Sequence, residues 1–269
     1  MTDAAIGLLA GNGQFPVLFA QAAKRAGVQV IAVAMHGETE RAIEQDAQVS
    51  WVRVGELGKT IKIFEKAGIS RVAMAGGVRK TRLFSGARPD LLGWRVLARC
   101  AVRQDDGLLR AVAAEFERRG ISIVDSTLYM PEALAPVGVL TRCEPTARQW
   151  QDLHYGQKIA HEIGKLDIGQ AVVLKDGAVV ALEAMEGTDA CIRRAGELTH
   201  KGGGVVVKVA KPSQDMRFDV PAVGLRTLDS MQAAGIAVLG VEAQRTLLLE
   251  PEKMIQEANQ RGLCIVGLA

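Results

Sequence analysis

Ile6-Gly7-Leu8-Leu9-Ala10 is an apolar run that ends in Gly11-Asn12-Gly13-Gln14-Phe15-Pro16, and a second apolar run, Val28 to Ala34, follows one helix length later. Between them Val17, Leu18, Ala22 and Ala23 recur at helical spacing, and Gly27 supplies the stop. Strand, glycine turn, helix and strand in that order form a βαβ unit, with parallel strands and a right-handed crossover. No other feature narrows the fold as far. It commits the N-terminal part to a Rossmann-like α/β domain, its sheet covered by helices.

The turn matches only the first half of a dinucleotide fingerprint. Pro16 stands where G-x-G-x-x-G would place its third glycine. Proline suits the first turn of a helix, so the helix N-terminus survives while the close helix–strand packing of the fingerprint does not. The second strand ends in Met35-His36-Gly37-Glu38, with no clear acid for a ribose. Gly11, Asn12, Gly13 and Gln14 are therefore candidates to receive a phosphate rather than a nicotinamide cofactor.

Further along, Val49 to Val54 reads as a strand and Lys59 to Lys66 as an amphipathic helix ending at Gly68. Arg71 to Ala75 is a strand that empties into Gly76-Gly77-Val78-Arg79-Lys80. A diglycine followed by two cations is a second anion cradle or, equally, a tight turn with solvated charges. Leu91 to Val102 and Leu108 to Arg118 read as helices, with Asp105-Asp106 between them to cap the second. The strand Ile121 to Val124 ends in Asp125-Ser126-Thr127, at the strand end where open α/β sheets bind ligands. Pro131, Pro136 and Pro145 then mark a stretch without periodicity. The expected organisation is an N-terminal domain over 1–130, a linker over 131–145 and a second α/β domain over 146–269.

In that second domain Thr146 caps a helix to about Ile163, and Ala171 to Leu174 and Ala178 to Leu182 flank a turn at Lys175-Asp176-Gly177. Glu183-Ala184-Met185-Glu186-Gly187-Thr188-Asp189 follows, with Thr188 or Asp189 as cap of a helix through Leu198. The apolar run Val205-Val206-Val207 leads into Lys208 to Gly224, which crowds Lys208, Lys211, Asp215, Arg217 and Asp219 into a short segment punctuated by Pro212 and Pro221. The prolines argue against a continuous helix. Two carboxylates among three cations suit Mg²⁺ and phosphate, because hard oxygens hold the metal and Lys or Arg neutralises phosphate oxygens. A solvated, salt-bridged loop has the same composition. Pro221 restricts the residue before it, which favours an extended Asp219 segment. Helices over 227–234 and 251–260 and strands over 236–239 and 263–267 complete the domain.

Composition excludes several classes. A formal net charge of +3 and 4% aromatic residues give no basic, aromatic-interleaved platform for nucleic acid. Cys100, Cys143, Cys191 and Cys264 are far apart with no CxxC pair, which speaks against a zinc site or disulfide frame and for a reducing compartment. The N-terminal residues show no signal peptide, and no run approaches the roughly 18 apolar residues of a spanning helix. A cytoplasmic location is the expectation, with membrane-derived substrates still within reach from that side.

AGNGQFP, AGGVRK, DDGLLR, VDST, KLDIGQAVV, EAMEGTDACIRR and KVAKPSQDMRFDVPAVG together closely resemble one family from the first strand to the last, the EGTD and FDVP segments being the most specific. It is the LpxI family, metal-dependent UDP-2,3-diacylglucosamine pyrophosphatases of lipid A biosynthesis. The resemblance implies two α/β domains joined by a linker, release of UMP and the acylated sugar 1-phosphate (lipid X), attack of water at the sugar-side phosphorus, and dependence on Mg²⁺. It also implies that Asp219, by its position in the DxP segment, is essential. Beside Asp219, the acids Asp215, Asp189 and Glu186 are candidates to share metal binding or water orientation. Lys211, Arg217, Arg79 and Lys80 are candidate phosphate clamps. Gly11, Asn12, Gly13, Gln14, Gly76, Gly77 and Thr188 are candidate substrate contacts. The partner is then a lipid-linked sugar nucleotide, met peripherally at the cytoplasmic face of the inner membrane, with homo-oligomerisation left open. A non-catalytic sugar-nucleotide or lipid-binding protein and a nucleotide-dependent oxidoreductase are the other two readings, the latter weakened by Pro16 and the missing acid.

Overall fold

The computed structural model describes residues 5–78, 88–99, 105–200, 202–212 and 214–269. The chain forms two compact units, one holding the chain up to Pro131 together with Asp215–Asp219, the other Glu132–Gln214 with Val220–Ala269. Five residues of the C-terminal half thus belong to the N-terminal unit.

The first unit is built from β1 (Ala5–Ala10), α1 (Phe15–Arg25), β2 (Gln29–Met35), β3 (Gln48–Val52), α2 (Leu57–Lys66), β4 (Arg71–Ala75), α3 (Leu91–Arg99), α4 (Asp105–Glu117) and β5 (Ser122–Val124). Its sheet has the order β3-β2-β1-β4-β5, and every pair is parallel. The strand order reverses between β1 and β4, so the crevice expected to take ligands lies beyond the carboxyl ends of these two strands. Ile6, Leu8, Leu9 and Ala10 are all buried, as strands of a sheet covered on both faces must be. Helix α2 buries Leu57, Thr60, Ile61 and Phe64, a single stripe at helical spacing. Helix α4 is described from Asp105, so Asp105 and Asp106 are helical instead of lying between two helices.

Phe218 joins the core of this unit. The residue is 6% exposed and shares one cluster with Leu9, Phe64, Val72, Met74, Phe116, Ile121 and Ile123.

The second unit contains β6 (Gly138–Val139), α5 (Ala147–Lys165), β7 (Ala171–Lys175), β8 (Ala178–Leu182), α6 (Thr188–Leu198), β9 (Val205–Lys208), β10 (Ala222–Val223), α7 (Leu225–Ala234), β11 (Val238–Glu242), β12 (Leu247–Leu248), α8 (Pro251–Gln260) and β13 (Cys264–Leu268). Six strands order as β6-β13-β11-β9-β7-β8, and β10 pairs with β12 in a separate parallel pair. Alternation along β9 splits the core: Val205 and Val207 face the cluster holding Leu153 and Ala160 of α5, while Val206 faces Ile192, Leu228 and Met231 of α6 and α7. The β7–β8 hairpin turns on Asp176 (φ 54°) and Gly177 (φ 82°), the two left-handed positions that an Asp-Gly pair accommodates. Thr146 caps α5 reciprocally with Gln149, its hydroxyl accepting from Gln149 N while its own N donates to Gln149 Oε1.

Residues 131–145, expected as a linker, are laid along the second unit. Ala135 N donates to Thr246 O, Gln244 N to Ala135 O and Leu140 N to Ile265 O, and β6 pairs antiparallel with β13. The prolines stop a helix from forming here, but they leave enough N–H groups to dock the segment on a sheet edge.

Since Phe218 carries the main apolar anchor of residues 215–219, Phe218→Ala should destabilise the first unit by about 3 kcal/mol, the low end for a buried phenyl. Urea unfolding followed by a probe in that unit reads it. An unchanged midpoint and slope would show that the ring contributes nothing to the core.

Candidate active site

The turn after β1 and the turn after β4 are laced together. Gly11 N donates to Ala75 O (2.8 Å) and Asn12 N to Gly77 O (2.7 Å), and Asn12 and Gly77 form an antiparallel bridge. A Cβ on Gly11 would lie 2.4 Å from Gly77 O, and one on Gly76 (φ 78°) would lie 2.4 Å from Asn12 O. Only glycine allows this approach. The close contact therefore spends the amides of Gly11 and Asn12 on the protein itself, where an anion cradle was expected to leave them open. Gly13 and Gln14 lead into α1, whose N-cap Gln14 makes no side-chain cap hydrogen bond. Asn12 Nδ2 donates to the buried Glu38 (3.1 Å), and Thr39 Oγ1 donates to Ala10 O (2.7 Å) and accepts from Met35 N (2.9 Å). Three strand ends are thereby tied at the switch point. Arg79 and Lys80 lie outside the described residues.

Asp215–Asp219 forms a closed turn in the same unit. Asp219 N donates to Asp215 O (2.9 Å) and Phe218 N to Asp215 O (3.1 Å), so the backbone here is curled, not extended as the proline had suggested. Pro221 restricts only Val220, which leaves Asp219 free to close the turn. Arg217 donates to Asp215 from Nε (3.0 Å) and Nη2 (2.8 Å) and to Glu117 from Nη1 (3.1 Å), and its guanidinium lies 5.6 Å from the Phe218 ring centroid. Ser126 N donates to Arg217 O (2.9 Å), joining the turn to the segment after β5. There Asp125 Oδ1 accepts from Thr127 N and Thr127 Oγ1, both at 2.7 Å. The Arg217 guanidinium holds the Asp215 carboxyl below the usual aspartate range, and the same pairing pushes Arg217 further up. Asp215 and Arg217 thus clamp the turn that presents the half-buried Asp219.

In the second unit, β8, β9 and β11 run in one direction, since β7 is antiparallel to β8 and β9, and β9 is parallel to β11. Their carboxyl ends bring together polar side chains that the spacing of the sequence does not advertise. Glu183, just past β8 and 7% exposed, accepts from Gln170 N (3.2 Å) and Thr188 Oγ1 (2.9 Å). Lys208, the last residue of β9 and 8% exposed, donates from Nζ to Ala222 O (2.9 Å) and pairs with no carboxylate among the described residues. Glu242, the last of β11, accepts from Ala210 N (2.7 Å) and from Arg245 (3.2 Å). Lys211 Nζ meets Asp167 at 2.7 Å, and the Lys211–Gln214 turn closes on itself through Gln214 Oε1 and Gln214 N.

Thr188 was expected as a cap or a substrate contact. The N-cap of α6 is instead Gly187 (φ 83°), which takes a conformation that Thr would resist, so the Thr188 hydroxyl turns to Glu183. Glu186 pairs with Arg194 (2.7 Å), which holds its carboxyl below the usual range. Asp189 pairs with Arg226 (3.3 Å). Lys208 was read as one of the three cations of the Lys208–Gly224 stretch, whereas Glu183, Glu242 and Asp167 were missed as site candidates. The signal available for Glu183 and Glu242 was their place at or just past the end of an apolar run, in VVALE and VLGVE.

Residues 5–133 match the LpxI N-terminal domain and residues 136–266 the LpxI C-terminal domain. The chain is 34% identical to the UDP-2,3-diacylglucosamine pyrophosphatase LpxI of Caulobacter vibrioides over 273 aligned residues, covering 98% of this chain and 97% of that one. Among solved structures, the biotin carboxylase domain of Hydrogenobacter thermophilus 2-oxoglutarate carboxylase aligns with 73% of this chain and 41% of its own, at 13% identity and a TM-score of 0.27. The biotin carboxylase subunit of a pyruvate carboxylase aligns at 14% identity and a TM-score of 0.28, covering 67% of this chain and 38% of its own. Likeness at that level carries no argument about function.

Arg217→Gln removes the main cause of the depressed Asp215 ionisation. A carboxyl with a lowered folded-state pKa adds stability above the ordinary aspartate value, and this is lost as pH falls through the folded value. The variant and the wild type should therefore differ in stability at neutral pH and converge in acid. By carboxyl NMR, Asp215 should titrate closer to the ordinary aspartate range in the variant. An unmoved Asp215 titration would refute the clamp.

Proposed function

The chain belongs to the LpxI family, its two parts matching the family's N- and C-terminal domains, and on that footing we propose that it hydrolyses the pyrophosphate of UDP-2,3-diacylglucosamine to UMP and 2,3-diacylglucosamine 1-phosphate in lipid A biosynthesis. The observation that carries this reading is the match to the Caulobacter pyrophosphatase over nearly all of both chains. The local chemistry agrees with it. Breaking a phosphoric anhydride requires an oriented water, neutralised phosphate oxygens and a group that accepts a proton or holds the water's oxygen.

Asp219 takes the central role. Its turn is clamped by Arg217 and anchored by Phe218, so the carboxylate meets substrate without the cost of ordering a loop at each turnover. Water attacks the sugar-side phosphorus, its oxygen stays with the acylated sugar phosphate, and the bridging oxygen leaves with UMP. Within the second unit, Lys208 Nζ at the carboxyl end of β9 is a candidate to neutralise a phosphate oxygen, whereas Lys211 would first have to give up Asp167.

The reading includes dependence on Mg²⁺. Among the described residues no three acidic, histidine or cysteine side chains gather into a cage. Mg²⁺ requires less than that: one or two carboxylates, with waters and substrate phosphate oxygens filling the remaining positions. Asp219, half-buried on its clamped turn, is the candidate for such a ligand, and Glu186 and Asp189 are each paired with an arginine. When bound, the ion would withdraw charge from the phosphates and acidify a water.

On this reading the diacylated substrate is met at a membrane surface, taken as its cytoplasmic face, with the protein acting peripherally. No described helix is long and apolar enough to cross a bilayer.

Two measurements test the reading. Purified protein with UDP-2,3-diacylglucosamine and Mg²⁺ should release UMP and stop in excess chelator. Full activity in chelator would remove the metal, and release of UDP would overturn the bond assignment. Asp219→Ala should fold and bind substrate but lose more than about tenfold in kcat, a barrier increase above about 1.4 kcal/mol. A variant that keeps most of its turnover would reduce Asp219 to a structural role.

A further inference from the structure

Helix α3 shows water a face that the first unit does not use internally. Gly93 and Val96 are buried, and Leu92 and Leu97 are half-buried against the unit. On the opposite side Leu91 is 88% exposed and Trp94, one turn later, is 62% exposed. Arg95 and Ala98 are exposed beside them, and Arg88 is exposed just ahead of the helix. The helix sequence, LLGWRVLAR, contains no acid. The one acid at its start, Asp90, is turned onto backbone: Oδ1 accepts from Gly93 N (2.9 Å) and Oδ2 from Lys59 N (3.1 Å). Among the described residues, what remains outward is a large aliphatic side chain and an indole, flanked by two guanidinium groups.

This combination has a physical preference. Exposed Leu and Trp gain by leaving water, whereas arginines gain by staying beside negative charge. An anionic bilayer surface satisfies both at once, since the indole suits the headgroup boundary and the leucine reaches the first acyl carbons. A protein partner suits the face less well. Two apolar side chains fall far short of the roughly 800 Å² per partner of a stable interface.

We propose that this face of α3, Leu91 and Trp94 flanked by Arg88 and Arg95, docks the protein on an anionic lipid bilayer. The inference rests on the reading of the substrate as a diacylated lipid, which must be taken from such a surface. The contact is shallow and reversible: two apolar side chains and two charges hold the protein at the surface without anchoring it there.

Cosedimentation of the whole protein with vesicles tests the surface without substrate. Wild type should partition onto phosphatidylethanolamine–phosphatidylglycerol vesicles, less onto phosphatidylcholine vesicles, and less at raised salt. The Leu91→Glu, Trp94→Glu double variant should lose at least about tenfold in partitioning. Arg88→Gln with Arg95→Gln should lose binding on the anionic vesicles only. Detergent-dispersed substrate should be hydrolysed by the double variant at the wild-type rate. Four results would overturn the proposal: wild type that ignores vesicles, a double variant that binds them as wild type does, loss of detergent-dispersed turnover with vesicle binding kept, or a wild-type dimer in sedimentation velocity that the double variant abolishes. Vesicle binding by a protein that hydrolyses nothing would refute the substrate reading and leave the docking surface standing.

Discussion

Phe218 determines where the acid-bearing turn of the C-terminal half can be. Its ring is buried with Leu9, Phe64 and Phe116, while Arg217 on one side of it is exposed and Asp219 on the other is half-buried. Burying a phenyl side chain contributes about 1.5–3 kcal/mol relative to leaving it exposed. The exposed Arg217–Glu117 pair contributes about 0–1 kcal/mol at best. The apolar anchor therefore holds the turn in the first unit, and the charges orient it. The backbone agrees, since Ser126 N donates to Arg217 O and Asp219 N closes onto Asp215 O.

The elements that were legible in the sequence are those whose signals are local. The βαβ opening, the Asp176-Gly177 hairpin, the Thr146 cap and the helix over 251–260 each rest on a short periodic run or a turn residue, and each was readable for that reason. The excursion of residues 215–219 was not readable, because it depends on one phenylalanine finding a core whose members lie far back in the chain, from Leu9 to Ile123. Asp219 misled in a different way. A proline two residues on suggested extension, yet proline governs only its immediate predecessor. The segment 131–145 carried every mark of a linker, and its hydrogen bonds to 246, 244 and 265 have no counterpart in local composition.

Charge was the poorest guide to the site. Counting acids and cations in Lys208–Gly224 treats each as available, whereas folding spends many of them. Asp215 is committed to Arg217, Lys211 meets Asp167, Glu186 is held by Arg194 and Asp189 by Arg226. Of the most deeply buried charged groups at the edge of the second sheet, Lys208 was counted among the cations of its stretch, while Glu183 comes from a strand end that composition alone passes over. Desolvating a charge is costly, and Lys208, 8% exposed, has the Ala222 carbonyl as its hydrogen-bond acceptor among the described residues.

The central claim is that this chain directs water onto the sugar-side phosphorus of a lipid-linked pyrophosphate. Turnover of UDP-2,3-diacylglucosamine in ¹⁸O-enriched water, with both products weighed by mass spectrometry, tests it most directly. The account predicts one heavy oxygen in the acylated sugar phosphate and none in UMP. Label in UMP, or an intact substrate after long incubation, would contradict it.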